Sequence, residues 1–78
     1  MNLPSFWVYV LFSLNDHQFY IGTTNNLTRR ISQHERGETW STHHRQPLML
    51  LYCEGHQSMI DARRREKYFK TTKGRAML

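Results

Sequence analysis

Only one cysteine, Cys53, occurs in the 78 residues, so no disulfide can form within the chain. The apolar run around it suits a reduced thiol, and the expected compartment is the cytoplasm. Long hydrophobic runs are missing too. The stretch from Phe6 to Phe12 is too short to cross a bilayer or serve as a signal core, and no basic residue precedes it, so neither secretion nor membrane association is expected. Acids are scarce, at 6 against 11 Lys plus Arg, which leaves a formal charge of +5. With 38% hydrophobic content, the chain has apolar material for one small domain over residues 1–78 with a modest core. A second, separate DNA-binding domain does not fit.

The basic excess is unevenly placed. Up to residue 60, Arg29, Arg30, Arg36 and Arg45 balance Asp16, Glu35, Glu38 and Glu54. Beyond it, Arg63, Arg64, Arg65, Lys67, Lys70, Lys73 and Arg75 face only Asp61 and Glu66. A polyanionic partner is one explanation and a solubilising helix surface is the other.

Local chemistry divides the chain into β-β-α-β-α. Trp7–Phe12 and Gln18–Gly22 are aromatic and β-branched, and Asn15-Asp16-His17 supplies turn residues between them, which predicts a hairpin with Tyr9 and Tyr20 on neighbouring strands. Asn25 or Asn26 can cap a helix with Leu27 and Ile31 on its buried stripe, ending near Gly37. Glu38–Gln46 is a polar loop, and Leu48–Glu54 after Pro47 is a third strand. Ser58 with Asp61 opens a second helix that runs to about Lys73 and stops at Gly74. The fold class is α/β (α+β): a small three-stranded antiparallel sheet flanked by helices.

On the first helix, at about 100° per residue, Arg30 and His34 flank the buried stripe one turn apart, whereas Arg29 and Arg36 point away. Arg30 can snorkel over the core edge or take part in chemistry. Glu66 stands in the middle of the apolar stripe set by Met59, Ala62 and Phe69, where a carboxylate needs a partner. An ion pair with Lys70 or Arg63 is one answer; a hard divalent cation is the other. Tyr9 and Tyr20 taken singly are good sheet-packing residues. The remaining histidines, with one cysteine and no HExxH pattern, do not make a structural zinc site. Thr42 and Arg45, with Ser41 and His43, form a loop that can touch phosphates or simply face solvent. Trp40 in the same loop can stack on a base or fold onto the core.

Together, Tyr9, the Tyr20-Ile21-Gly22 element, Arg30 eight residues past that glycine, His34 four further on, and Glu66 on the last helix make a five-part pattern. It resembles that of the GIY-YIG nuclease family, specifically its small stand-alone bacterial members, over Trp7 to about Lys73. The first element reads Trp7-Val8-Tyr9, without the family's glycine. The asparagine that larger members carry near the domain's end has no counterpart after Asn26. The resemblance implies a metal-dependent endonuclease in which Tyr9 is the general base, Tyr20 positions water or phosphate, Arg30 neutralises the phosphate, His34 assists proton transfer or orientation, and Glu66 holds one Mg²⁺ or Mn²⁺. A free phenol titrates near ~10, so the nearby cations are expected to lower the pKa of Tyr9. The expected partner is DNA, single-stranded or branched rather than plain duplex, held through phosphates by Arg63, Arg64, Lys67, Lys70 and Lys73 as well as the loop. The alternative is a nucleic-acid-binding module without catalysis.

Overall fold

The structure, a computed structural model, describes residues 3–78. Strands β1 (Phe6–Ser13) and β2 (Phe19–Thr24) form the expected hairpin. The turn between them is closed by Ser13 N–H to the Gln18 carbonyl at 2.9 Å, with His17 in the left-handed region at φ 57°. Helix α1 (Leu27–Glu35) begins at Asn26, whose side chain accepts from Arg29 N–H at 3.1 Å. It ends at Gly37, φ 73°, with Glu38 N–H returning to the Gln33 carbonyl at 2.9 Å. That bond is the Schellman closure that a left-handed glycine allows. Strand β3 (Leu48–His56) follows a loop containing one 3₁₀ turn, His43–Arg45.

Helix α2 (Met59–Phe69) is capped by Ser58, which accepts from Ile60 and Asp61 N–H. It is shorter than the sequence suggests. The chain breaks at Lys70, Thr71 caps a four-residue helix α3 (Thr72–Arg75), and Gly74 lies inside α3 rather than past a helix end. The reason for a glycine there is proximity: a Cβ on Gly74 would run into the Tyr68 carbonyl at the end of α2.

The sheet is antiparallel in the order β2-β1-β3. Alternation along central β1 sends successive side chains to opposite faces. Val8 and Val10 join Ile21, Ala62 and Phe69 in the apolar core beneath α2. Tyr9 turns to the other face, where it meets His34 of α1. On β3, Leu51 is extra: Val10 pairs with Tyr52 and Leu11 with Leu50, a β-bulge. Among the described residues the outer edge of β3 has no partner strand, and Met49, Leu50, Leu51 and Tyr52 are each between 41% and 44% exposed.

Candidate active site

A pocket of about 430 Å³ opens beside β2, and Tyr9, Tyr20, Gly22, Thr23, Arg30, Glu66, Lys70 and Arg75 are among the residues lining it. Gly22 opposes Tyr9 in the ladder, and a Cβ there would lie 2.5 Å from the Tyr9 hydroxyl oxygen. The glycine of the Tyr20-Ile21-Gly22 element therefore leaves room for the Tyr9 ring to lean across the neighbouring strand toward the pocket. The rings of Tyr9 and Tyr20 are 6.4 Å apart, and that of His34 lies 5.5 Å from the first and 5.1 Å from the second.

Tyr9 is buried, and its hydroxyl is a junction. Arg30 Nε donates to it at 3.3 Å, and His34 Nε2 lies 3.0 Å away. The bond between the Tyr9 hydroxyl and His34 Nε2 runs either way according to the tautomer of the ring, since a hydroxyl that accepts from Arg30 can still donate or accept. His34 Nδ1 is hydrogen-bonded to Thr42 Oγ1, 2.7 Å away. Burial and the neighbouring Arg30 charge push the His34 pKa down to about 4, so the ring is neutral at pH 7, with one nitrogen a donor and the other an acceptor. The Tyr9 phenol departs from expectation. Burial pushes its pKa above the ordinary value, and the hydrogen bond from Arg30, although it acts in the expected direction, does not outweigh that desolvation.

Glu66 projects from α2 at the far wall. Its Oε1 accepts from Thr23 Oγ1 at 2.7 Å and its Oε2 from Lys70 Nζ at 2.8 Å. Burial pushes its carboxyl up, but Lys70, Thr23 and Arg63 together outweigh that and hold it ionised below the usual range. The ion pair with Lys70 is thus formed, and Lys70 belongs to the pocket wall. Among the described residues no cluster of three or more His, Cys, Asp or Glu converges to cage a metal. A single pocket-facing carboxylate still fits a hard cation such as Mg²⁺, which keeps several waters and takes one or two carboxylates with phosphate oxygens. Such an ion competes with Lys70 for Glu66.

Two loop residues do other work than the phosphate contacts expected of them. Thr42 is fully buried against His34, so no phosphate can reach it, and its hydroxyl is the partner of the ring's Nδ1. Arg45 is committed to Asp16 at 3.1 Å and to the Phe19 carbonyl at 3.3 Å, bracing the loop against the hairpin. Leu27 and Ile31 are half-buried, and His34 is the one fully buried residue of α1. Arg63 and Lys70 flank Glu66 on α2, Lys67 and Lys73 are exposed, and Arg64 lies about 160° around the helix from Glu66, paired with Asp61. Trp40 does not fold onto the core; it is 85% exposed. Thr23, Arg75 and the space left by Gly22 escaped the sequence reading, because nothing in local spacing marks a contact made across strands.

Known proteins were compared with the chain. It is 40% identical over 73 residues to a UPF0213 protein of Limosilactobacillus reuteri, covering 90% of this chain and 75% of that one. It is 38% identical over 65 residues to a UPF0213 protein of Clostridium perfringens, covering 82% and 69%. For a UPF0213 protein of Bacillus licheniformis the figures are 37% over 71 residues, covering 90% and 72%. No solved structure matches. The model of the GIY-YIG catalytic domain, a nuclease fold, matches residues 5–77, and with Tyr9, Tyr20, Arg30 and Glu66 lining one pocket and His34 buried against Tyr9, the chain belongs to the GIY-YIG family.

Proposed function

We propose that this protein is a metal-dependent endonuclease that hydrolyses phosphodiester bonds in DNA, with Tyr9 as general base and Glu66 as the carboxylate that holds one Mg²⁺ or Mn²⁺. The observation that carries the reading is the hydrogen-bonded chain Tyr9–His34–Thr42, set beside an ionised carboxylate in a pocket with three cationic side chains. A buried phenol is a poor base unless its own proton has somewhere to go. In this mechanism His34 carries its proton on Nδ1, and Nε2, 3.0 Å from the Tyr9 oxygen, is that acceptor: as Tyr9 takes a proton from the attacking water, its own passes to His34. Arg30, already over the Tyr9 oxygen, neutralises charge on the phosphate as it becomes five-coordinate, and Tyr20 holds the phosphate or the water at the pocket mouth. The metal, when bound, polarises the scissile phosphate and stabilises the leaving 3′ oxygen.

Arg63, Lys67, Lys70 and Lys73 then hold the flanking phosphates, and affinity falls steeply with salt. One small domain whose sheet edge is given over to chemistry has little surface left to read duplex sequence in a major groove. The preferred substrates are therefore single-stranded or branched DNA, cut with low sequence selectivity. Helix α2, the longest of the described helices at 11 residues, is too short to cross a membrane, and a membrane partner is not part of this reading.

Glu66→Gln tests the reading. The substitution keeps size and hydrogen bonding to Thr23 but removes the charge, so Mg²⁺-dependent cleavage of labelled oligonucleotides falls to background while binding is retained. Full metal-dependent cleavage by this variant removes Glu66 from the mechanism.

A further inference from the structure

Trp40 is the most exposed large apolar side chain among the described residues, at 85%. Burying such a ring would stabilise a small domain by removing apolar area from water, so leaving it exposed needs a reason. Its backbone is not loose. The Trp40 carbonyl accepts from His43 Nδ1 at 2.7 Å, Thr42 N–H closes on the Thr39 carbonyl at 3.1 Å, and Arg45 N–H on the Thr42 carbonyl at 2.9 Å. The His43 ring lies against the indole, 4.9 Å between centroids at 30°. An exposed indole on a hydrogen-bonded turn, backed by a second ring, is a preformed stacking surface.

The placement ties this surface to the site. Ser41, the next residue, donates from Oγ to the Tyr20 hydroxyl at 3.3 Å, and Thr42 is bonded to His34. Three consecutive residues thus present an indole to solvent, a hydroxyl to one site tyrosine and a hydroxyl to the site histidine. Consecutive Cα atoms are about 3.8 Å apart, so the backbone that carries the indole lies one or two residues from contacts with Tyr20 and His34, beside the pocket that Arg30, Lys70 and Arg75 line with positive charge.

We propose that Trp40, backed by His43, is a subsite for one unpaired nucleobase next to the phosphate held in the pocket. The inference rests on the nuclease reading and gives it a reason to prefer unpaired over fully paired DNA. A base in a duplex keeps both faces stacked on its neighbours, whereas an unpaired base can exchange one of them for the indole. The indole has only two side-chain torsions to immobilise, so little entropy is lost on binding.

The test measures binding in the non-cleaving Glu66→Gln background, by fluorescence anisotropy of labelled oligonucleotides at fixed salt. The Trp40→Ala change weakens binding of a single strand by roughly 10-fold, within what one base–aromatic stack gives. It leaves duplex binding within 2- to 3-fold, and Trp40→Phe restores most of the loss. An abasic nucleotide scanned along the strand finds one position that costs the Trp40 protein about as much as Trp40→Ala does and costs the Trp40→Ala protein nothing further. Unchanged single-strand affinity in Trp40→Ala, or equal losses for strand and duplex, overturns the subsite while leaving the nuclease reading intact. Absence of nucleic-acid binding by the parent protein overturns both.

Discussion

The two faces of strand β1 are equally buried and chemically opposite. Under α2, Val8 and Val10 meet Ile21, Ala62 and Phe69, an apolar contact whose free energy comes from area removed from water. Under α1, Tyr9 meets His34 and Thr42, where each buried polar atom needs a partner and the partners form a chain. Alternation along one strand therefore separates the apolar core from the candidate site. Burial alone does not distinguish core from site; the partners of the buried atoms do.

The largest effect should come from breaking the apolar face. Phe69 is 2% exposed and packs on Tyr52 and Tyr68 as well as the core. Phe69→Ala should cost about 3–5 kcal/mol, a large share of the roughly 4–12 kcal/mol a chain this size can have. Thermal melts followed by circular dichroism should show a fall of tens of degrees or no cooperative transition; an unchanged melting temperature would place the core elsewhere.

Tyr9→Phe sharpens the contrast, because it removes one oxygen from the polar face. The cleavage rate should drop roughly 10²-fold or more, the general-base range. From sequence alone the hydroxyl has no packing role that phenylalanine could not fill, so the melting temperature would stay within a few degrees. In the structure it is the partner of a buried histidine nitrogen, and losing it should also cost about 1–3 kcal/mol. A folded variant cutting at the parental rate removes Tyr9 from the chemistry, and an unshifted melting temperature would mean that His34 finds another partner.

Acid should weaken the polar face before the apolar one. His34 titrates near 4 when folded and near 6.5 when unfolded, so between those values the unfolded chain binds more protons. Its contribution is complete above about pH 6.5 and is lost as pH falls toward 4, at most about 3 kcal/mol. Melting temperatures measured from pH 7 to 4.5 should decline more steeply for the parent than for His34→Gln, which cannot titrate; parallel declines would count against a buried neutral His34.

The smallest effect concerns a defect. Thr39 Oγ1 is the one buried side-chain oxygen or nitrogen without a partner among the described residues. Thr39→Val keeps the shape and removes the unpaired hydroxyl, so stability should be unchanged or higher by up to about 1 kcal/mol. A clear loss would show that the hydroxyl is bonded to water in solution.

What was legible in the sequence follows the same division. Hairpin, caps and strands were readable because Asn26, Gly37 and Ser58 act within a few residues of themselves. The five site residues were readable as a pattern; the structure lines one pocket with Tyr9, Tyr20, Arg30 and Glu66 and buries His34 against Tyr9. Illegible were contacts made through space: Gly22 yielding to the Tyr9 ring, Thr42 fixing His34, and the break after Phe69 that lets α3 fold against the end of α2. Lys70 was read as either an ion-pair partner of Glu66 or a phosphate ligand, and only the fold shows that the pair forms inside the pocket.

The bulge at Leu51 bears on how this chain keeps company with copies of itself. An unpaired edge with four half-exposed apolar residues in a row is a template for strand addition, the first step of self-association on a warm or concentrated bench. The extra residue interrupts the regular spacing of amide groups and increases the local twist, so an approaching strand cannot match its register along the whole of β3. One surplus leucine thereby interrupts the run of backbone groups that an added strand would have to follow.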